Sequence, residues 1–171
     1  MFPDDNVLTR EKASHQIMTT TARTFDRRLP VDRDMTYGQM RRAIAEHTGL
    51  RVVSDSLPGD VSAMYDESLQ AVIIDRRMTY VQKKCSLVHE LFHWLHGDDT
   101  CQGVRGGRAE RRARKETAMF LINPADYVLA EREFDGEPYL MACDLDVTVD
   151  VLEDYRRLLE RSCPPHLLWD D

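Results

Sequence analysis

Ala71-Val72-Ile73-Ile74-Asp75, followed a few residues on by Cys85-Ser86-Leu87-Val88-His89-Glu90-Leu91-Phe92-His93-Trp94-Leu95-His96, is the stretch on which the fold turns. The first block is short, β-branched and closed by an aspartate, so it reads as a strand. The second belongs to a helix from about residue 82 to 96, because Leu87, Val88, Leu91, Phe92 and Leu95 recur at helical steps and Gly97-Asp98-Asp99 supplies a stop. A strand leading directly into an apolar helix fixes the centre of the domain.

Working outward from it, 36–48 reads as a helix, with Met40, Ile44 and His47 at three- and four-residue steps and Gly49 as its end. Residues 50–53 and 61–65 read as strands. Pro58-Gly59-Asp60 is a turn between them, and Asp66-Glu67-Ser68 is a turn before Ala71. The three strands predict a small antiparallel sheet. Downstream come a glycine-containing loop over 100–107, a helix over 108–122 stopped by Asn123-Pro124, and a helical segment over 125–134. A turn at 135–138 follows, then a last helix over 147–161 whose apolar stripe is Val147, Val151, Leu152, Tyr155, Leu158 and Leu159. Residues 1–34 read as an N-terminal extension or arm, with a poorly periodic helix between Leu8 and Phe25, and 35–171 as a single domain. The predicted class is α+β, a small antiparallel sheet packed against helices.

The 171 residues suffice for one domain with a proper core, and 42% hydrophobic with 31% charged residues is ordinary for a globular chain. A net charge of −7 gives no overall field to attract nucleic acid, so direct nucleic-acid binding is not expected. No run approaches the ~18 apolar residues that span a bilayer. The start, Met1-Phe2-Pro3-Asp4-Asp5, is acidic with no apolar run behind it, so a cytoplasmic protein is expected. Cys85, Cys101, Cys143 and Cys163 contain no C-x-x-C pair and are expected as free thiols, Cys101 being the one that could approach the 82–96 helix end.

His89-Glu90-Leu91-Phe92-His93 is H-E-x-x-H. On a helix, residues i and i+4 share a face, which lets two imidazoles reach one zinc ion at about 2.0–2.1 Å. The intervening Glu90 can then take a proton from a water at the open coordination position. His96 lies roughly 10 Å from His89 along a straight helix axis and cannot join them at one ion. It is expected instead to hydrogen-bond near the helix end.

A third protein ligand is sought on the following helix, which offers Glu110 and Glu116. At about 100° per residue, Glu110 lies close to the stripe of Ala109, Ala113, Thr117, Phe120 and Leu121, and Glu116 at its flank, so Glu110 is preferred. Arg105, Arg108, Arg111, Arg112, Arg114 and Lys115 make this region basic, which reads as a solvated helix face or a docking patch for an acidic partner. Tyr65, Tyr80, Tyr127 and His96 are candidates to help carry charge on a substrate oxygen. The two His and one carboxylate suit zinc, with manganese or another divalent ion as alternatives.

Three blocks resemble the ImmA/IrrE metallopeptidases of bacteria, phages and mobile elements. They are Ala71 to Asp75 with Cys85 to His96; Glu110-Arg111-Arg112-Ala113 with Leu121-Ile122-Asn123-Pro124; and Met141 to Thr148, over about residues 50–160. The chain has Arg114 where that family commonly has Asn or Asp, which keeps Glu116 open as the ligand. The resemblance implies a metallopeptidase core with His89, His93 and Glu110 as zinc ligands and Glu90 as general base. It also implies a hydrolase that cleaves a helix-turn-helix transcriptional repressor carried on a separate chain. The alternative is a metal-binding anti-repressor or toxin–antitoxin-like regulator that acts on its partner by binding, without turnover.

Overall fold

A computed structural model describes residues 29–98 and 107–162. The helix expected within 8–25, most of the arm, the loop from 100 to 106 with Cys101 and Arg105, and Cys163 lie outside the described residues. The described residues form six helices and one three-stranded sheet, in the order α1 (Tyr37–His47), β1 (Arg51–Asp55), β2 (Ala63–Asp66), β3 (Ala71–Asp75), α2 (Tyr80–His96), α3 (Arg108–Leu121), α4 (Pro124–Glu133), α5 (Pro138–Asp144) and α6 (Val149–Ser162). The class is α+β.

Local signals set the helix ends. Thr36 with Gln39, and Thr79 with Gln82, form reciprocal capping boxes, so α2 begins two residues earlier than its apolar pattern shows. Gly97 takes the left-handed conformation that ends α2, at φ 70°. Asn123 caps α4, whose first residue is Pro124. The turn expected at 135–138 is real, with Asp135 and Gly136 at positive φ, but Pro138 then opens a short helix that the sequence reading left out.

The sheet corrects the expectation of an all-antiparallel arrangement. Its order is β1-β3-β2, with β2 antiparallel and β1 parallel to β3, Val52 pairing with Val72 and Tyr65 with the same Val72. The reason is burial. Ala71, Val72, Ile74 and Asp75 are buried, so the most apolar strand takes the centre and is covered on both faces. The turn after β2 fills one edge of β3 with an antiparallel partner, and β1 is left the other edge in parallel.

Behind the sheet, Leu87, Val88 and Leu91 of α2 join Val72, Ile74, Tyr65 and the α1 residues Met40 and Ile44 in one core. Val31, ahead of α1, is part of it. On the far side of α2, α3 contributes Ala113 and Ala118, both essentially inaccessible. Small residues there let α3 pack close to the H-E-x-x-H helix, and α6 closes the other side of α3 with Val151, Leu152 and Tyr155. No helix among the described residues is long and apolar enough to cross a membrane.

Candidate metal centre

Helical spacing places His89 and His93 one turn apart on α2, and their Nε2 atoms lie 3.2 Å from each other. Glu110, in the first turn of α3, brings Oε2 to 3.4 Å from His89 Nε2 and 3.5 Å from His93 Nε2. These three are the one group of three or more His, Cys, Asp or Glu among the described residues placed to share an ion. A tetrahedral centre with bonds of about 2.0–2.1 Å needs its donors about 3.3–3.4 Å apart. The observed triangle has that size, so the residues fit a divalent ion with two imidazole nitrogens and one carboxylate oxygen on one side and the cleft on the other.

The electrostatics match the donor set. Hydrogen bonds from His89 and then His93 hold the Glu110 carboxyl well below the usual carboxylate range, against the opposing effect of burial. Burial works against a charge on His93, yet Glu110, Glu90 and Asp98 together raise its affinity for a proton. Three carboxylates, Glu110, Glu90 and Asp98, around two imidazoles describe a site suited to positive charge.

His93 is itself supported. Its side chain is 2% exposed, and its Nδ1 lies 3.3 Å from Asp98 Oδ2. A carboxylate can only accept, so Nδ1 carries a hydrogen towards Asp98; in the neutral imidazole this leaves Nε2 as the nitrogen that could ligate an ion, and in the protonated one Nε2 donates to Glu110. Asp98 in turn accepts from Arg112 Nη2 at 2.6 Å, which ties it to the helix that carries Glu110. Sequence reasoning missed Asp98. Its signal was a carboxylate directly after the helix-ending Gly97, where the reversed chain returns towards His93.

Glu116 and His96 do not enter the centre. They pair with each other, His96 Nε2 to Glu116 Oε2 at 2.7 Å. The other candidates for charge stabilisation are also elsewhere. Tyr65 donates to Glu67, Tyr127 donates to Glu131 at 2.9 Å, and Tyr80 is 78% exposed beside Lys83. The basic stretch is only partly a solvated face, because Arg112 and Arg114 turn inward to Asp98 and Asp154. Of the cysteines in the described residues, Cys85 is buried and Cys143 exposed, both free thiols.

The triad opens into a cleft of about 640 Å³. Asp60, Ser62 and Ala63, at the start of the edge strand β2, line it, as do Thr148 to Val151 and Asp154 at α6. Glu90 lines it as well and is 5% exposed, so the carboxylate next to the first histidine is held inside the same cleft. Comparison of the chain with protein-family models, with curated proteins and with solved structures gave no match.

Proposed function

We propose that the protein is a zinc-dependent endopeptidase that cuts a regulatory protein, with Glu90 as its general base. The observation that carries this is the buried Glu90 carboxylate lining the same cleft as the His89–His93–Glu110 triad. A site serving structure alone has no use for a second carboxylate beside the first histidine in the same cleft.

When bound, the divalent ion supplies Lewis acidity, polarising a carbonyl and making a nearby water acidic enough to react near neutral pH. Glu90 takes the proton from that water as its oxygen adds to the scissile carbonyl carbon, and then delivers a proton to the departing amine. Asp98 and Arg112 keep His93 in the tautomer the centre needs.

The substrate lies extended along β2. The Ser62 carbonyl accepts from Asp75 N–H at 2.8 Å. By the alternation of an antiparallel ladder, Ala63 then turns its own N–H and C=O away from β3, towards the open edge. Ala63 lines the cleft, so a peptide added to that edge passes in front of the triad. The target class, a helix-turn-helix repressor on another chain, rests on the resemblance carried by the three sequence blocks.

The test is Glu90→Gln. That variant should fold, bind zinc as wild type does, and lose cleavage of the helix-turn-helix protein encoded nearest to this chain. Cleavage at the wild-type rate would remove Glu90 as the base. Stable co-purification of wild type and variant with that protein, with no cut in either, would favour the binding-only regulator.

A further inference from the structure

The cleft contains a single Lys or Arg, Arg114, among the residues that line it. Its other charged lining residues besides the two histidines are carboxylates: Asp60, Glu90, Glu110, Asp150 and Asp154. Arg114 follows Glu110 by one helical turn, so the two side chains leave α3 on the same face.

The guanidinium is fixed. Nε donates to Asp154 Oδ2 at 2.7 Å and Nη2 to Asp154 Oδ1 at 2.8 Å. Asp154 is shared, because Arg157 Nη1 lies 3.2 Å from the same Oδ1. One carboxylate between two guanidiniums holds Arg114 in place without cancelling its charge. Two of the five N–H groups of a guanidinium are spent on this grip, and the side chain remains 42% exposed. The next turn of α3 presents Thr117 to the same cleft. It is 2% exposed, and its hydroxyl has no hydrogen-bond partner. A buried hydroxyl without a partner costs about 1–3 kcal/mol, so this wall is incomplete until a polar group arrives.

We infer that Arg114 is a further catalytic residue, the donor that meets the substrate carbonyl oxygen as it becomes an oxyanion. The inference rests on the metal-centre reading. Arg114 lines the same cleft as Ala63 of β2 and the triad, one helical turn after Glu110, and is gripped by Asp154 of α6. As the water oxygen bonds to the carbonyl carbon, the π pair of the C=O bond moves onto oxygen, and the water proton goes to Glu90. Arg114 N–H groups hydrogen-bond the new negative charge, which returns to a C=O bond when the C–N bond breaks and the amine takes the proton from Glu90. A fixed cation is suited to this role because it needs no reorganisation when the charge appears.

The experiment uses the full chain loaded with cobalt(II), whose visible spectrum reports the centre independently of turnover, titrated with methylphosphonate as a tetrahedral anion. Wild type, Arg114→Gln and Arg114→Lys should take up cobalt equally. Methylphosphonate should bind Arg114→Gln roughly 10- to 100-fold more weakly than wild type, the loss of a charge-assisted hydrogen bond, with Arg114→Lys in between. Millimolar guanidinium should restore binding to Arg114→Ala, an effect a purely structural strap between α3 and α6 would not give. Equal methylphosphonate affinity in wild type and Arg114→Gln at equal cobalt loading overturns the inference alone, as does cobalt-loaded wild type that binds no methylphosphonate. A wild-type chain that takes up no cobalt, or an unchanged cobalt spectrum in His93→Ala, overturns the metal centre and this role with it.

Discussion

At the scale of single residues, the centre separates two glutamates that a helical wheel could only rank. Glu110 and Glu116 both lie on α3, and the wheel puts one near the buried stripe and the other at its flank. The side chains divide the work by reach. Glu110 turns to His89 and His93, whereas Glu116 is already bonded to His96. Glu110→Gln should therefore lose most of its zinc in equilibrium dialysis, while Glu116→Gln should retain wild-type content. Equal zinc in the two variants would return the ligand set to the drawing board. Asp98 makes a finer prediction. Asp98→Asn keeps the size of the side chain but can present an N–H to His93 Nδ1 and favour the wrong tautomer, so zinc affinity should fall about 10- to 100-fold. The H-E-x-x-H residues were legible because their geometry is set by one helix. Asp98 and Arg112 were not, because their meeting depends on how the chain turns at Gly97 and returns in α3.

At the scale of elements, the helices other than α5 followed from periodicity and stop signals, but the pairing of the strands did not. Nothing in residues 50–55 states whether they lie beside 61–66 or beside 71–75. That choice belongs to β3, which is apolar enough to demand cover on both faces and so draws both other strands to itself. A second tie between distant elements is equally silent in the sequence. Lys84, on α2, is buried and reaches Asp146 Oδ2 at 2.6 Å in the corner between α5 and α6. The neighbouring Cys85 thiol is pushed up by burial, partly offset by hydrogen bonds with Thr148 of the same corner. This corner leads into the Thr148–Val151 lining of the cleft, so α2 and that part of the lining are fastened together five residues before His89. The pair is asymmetric: the Lys84 side chain is 8% exposed and that of Asp146 57%. Asp146→Asn tolerates the positive φ of that position but strands a buried ammonium, and urea unfolding should show a loss of about 1–3 kcal/mol. Lys84→Met removes the buried charge, leaves a solvated aspartate behind, and should be close to neutral. Destabilisation by Lys84→Met equal to that of Asp146→Asn would mean the ion pair is worth more than the cost of burying it.

At the scale of the whole molecule, the question is whether an ion at the triad would hold the fold or only complete it. The core does not need it. Leu87, Val88 and Leu91 pack on the sheet and α1 from one side of α2, and Ala113 and Ala118 of α3 belong to the same continuous cluster. An ion held by the triad would add a clamp, because His89 and His93 leave α2 and Glu110 leaves α3. Binding only to the folded state, metal at about 100 times its Kd contributes about 2.7 kcal/mol. For a chain of this size that corresponds to roughly 5–10 °C in Tm. Chelation should therefore lower Tm by that amount and leave the far-UV circular dichroism essentially unchanged, with re-addition of zinc restoring it. In His93→Ala, Tm should no longer respond to zinc or chelator, while Glu116→Gln should respond as wild type does. Collapse of the secondary structure on chelation would assign the ion to the folding of the α2–α3 unit itself. On the proposed reading the site needs few parts: α2 would carry two ligands and the base on one rigid element, and α3 would have only to deliver Glu110 and Arg114 from one of its faces.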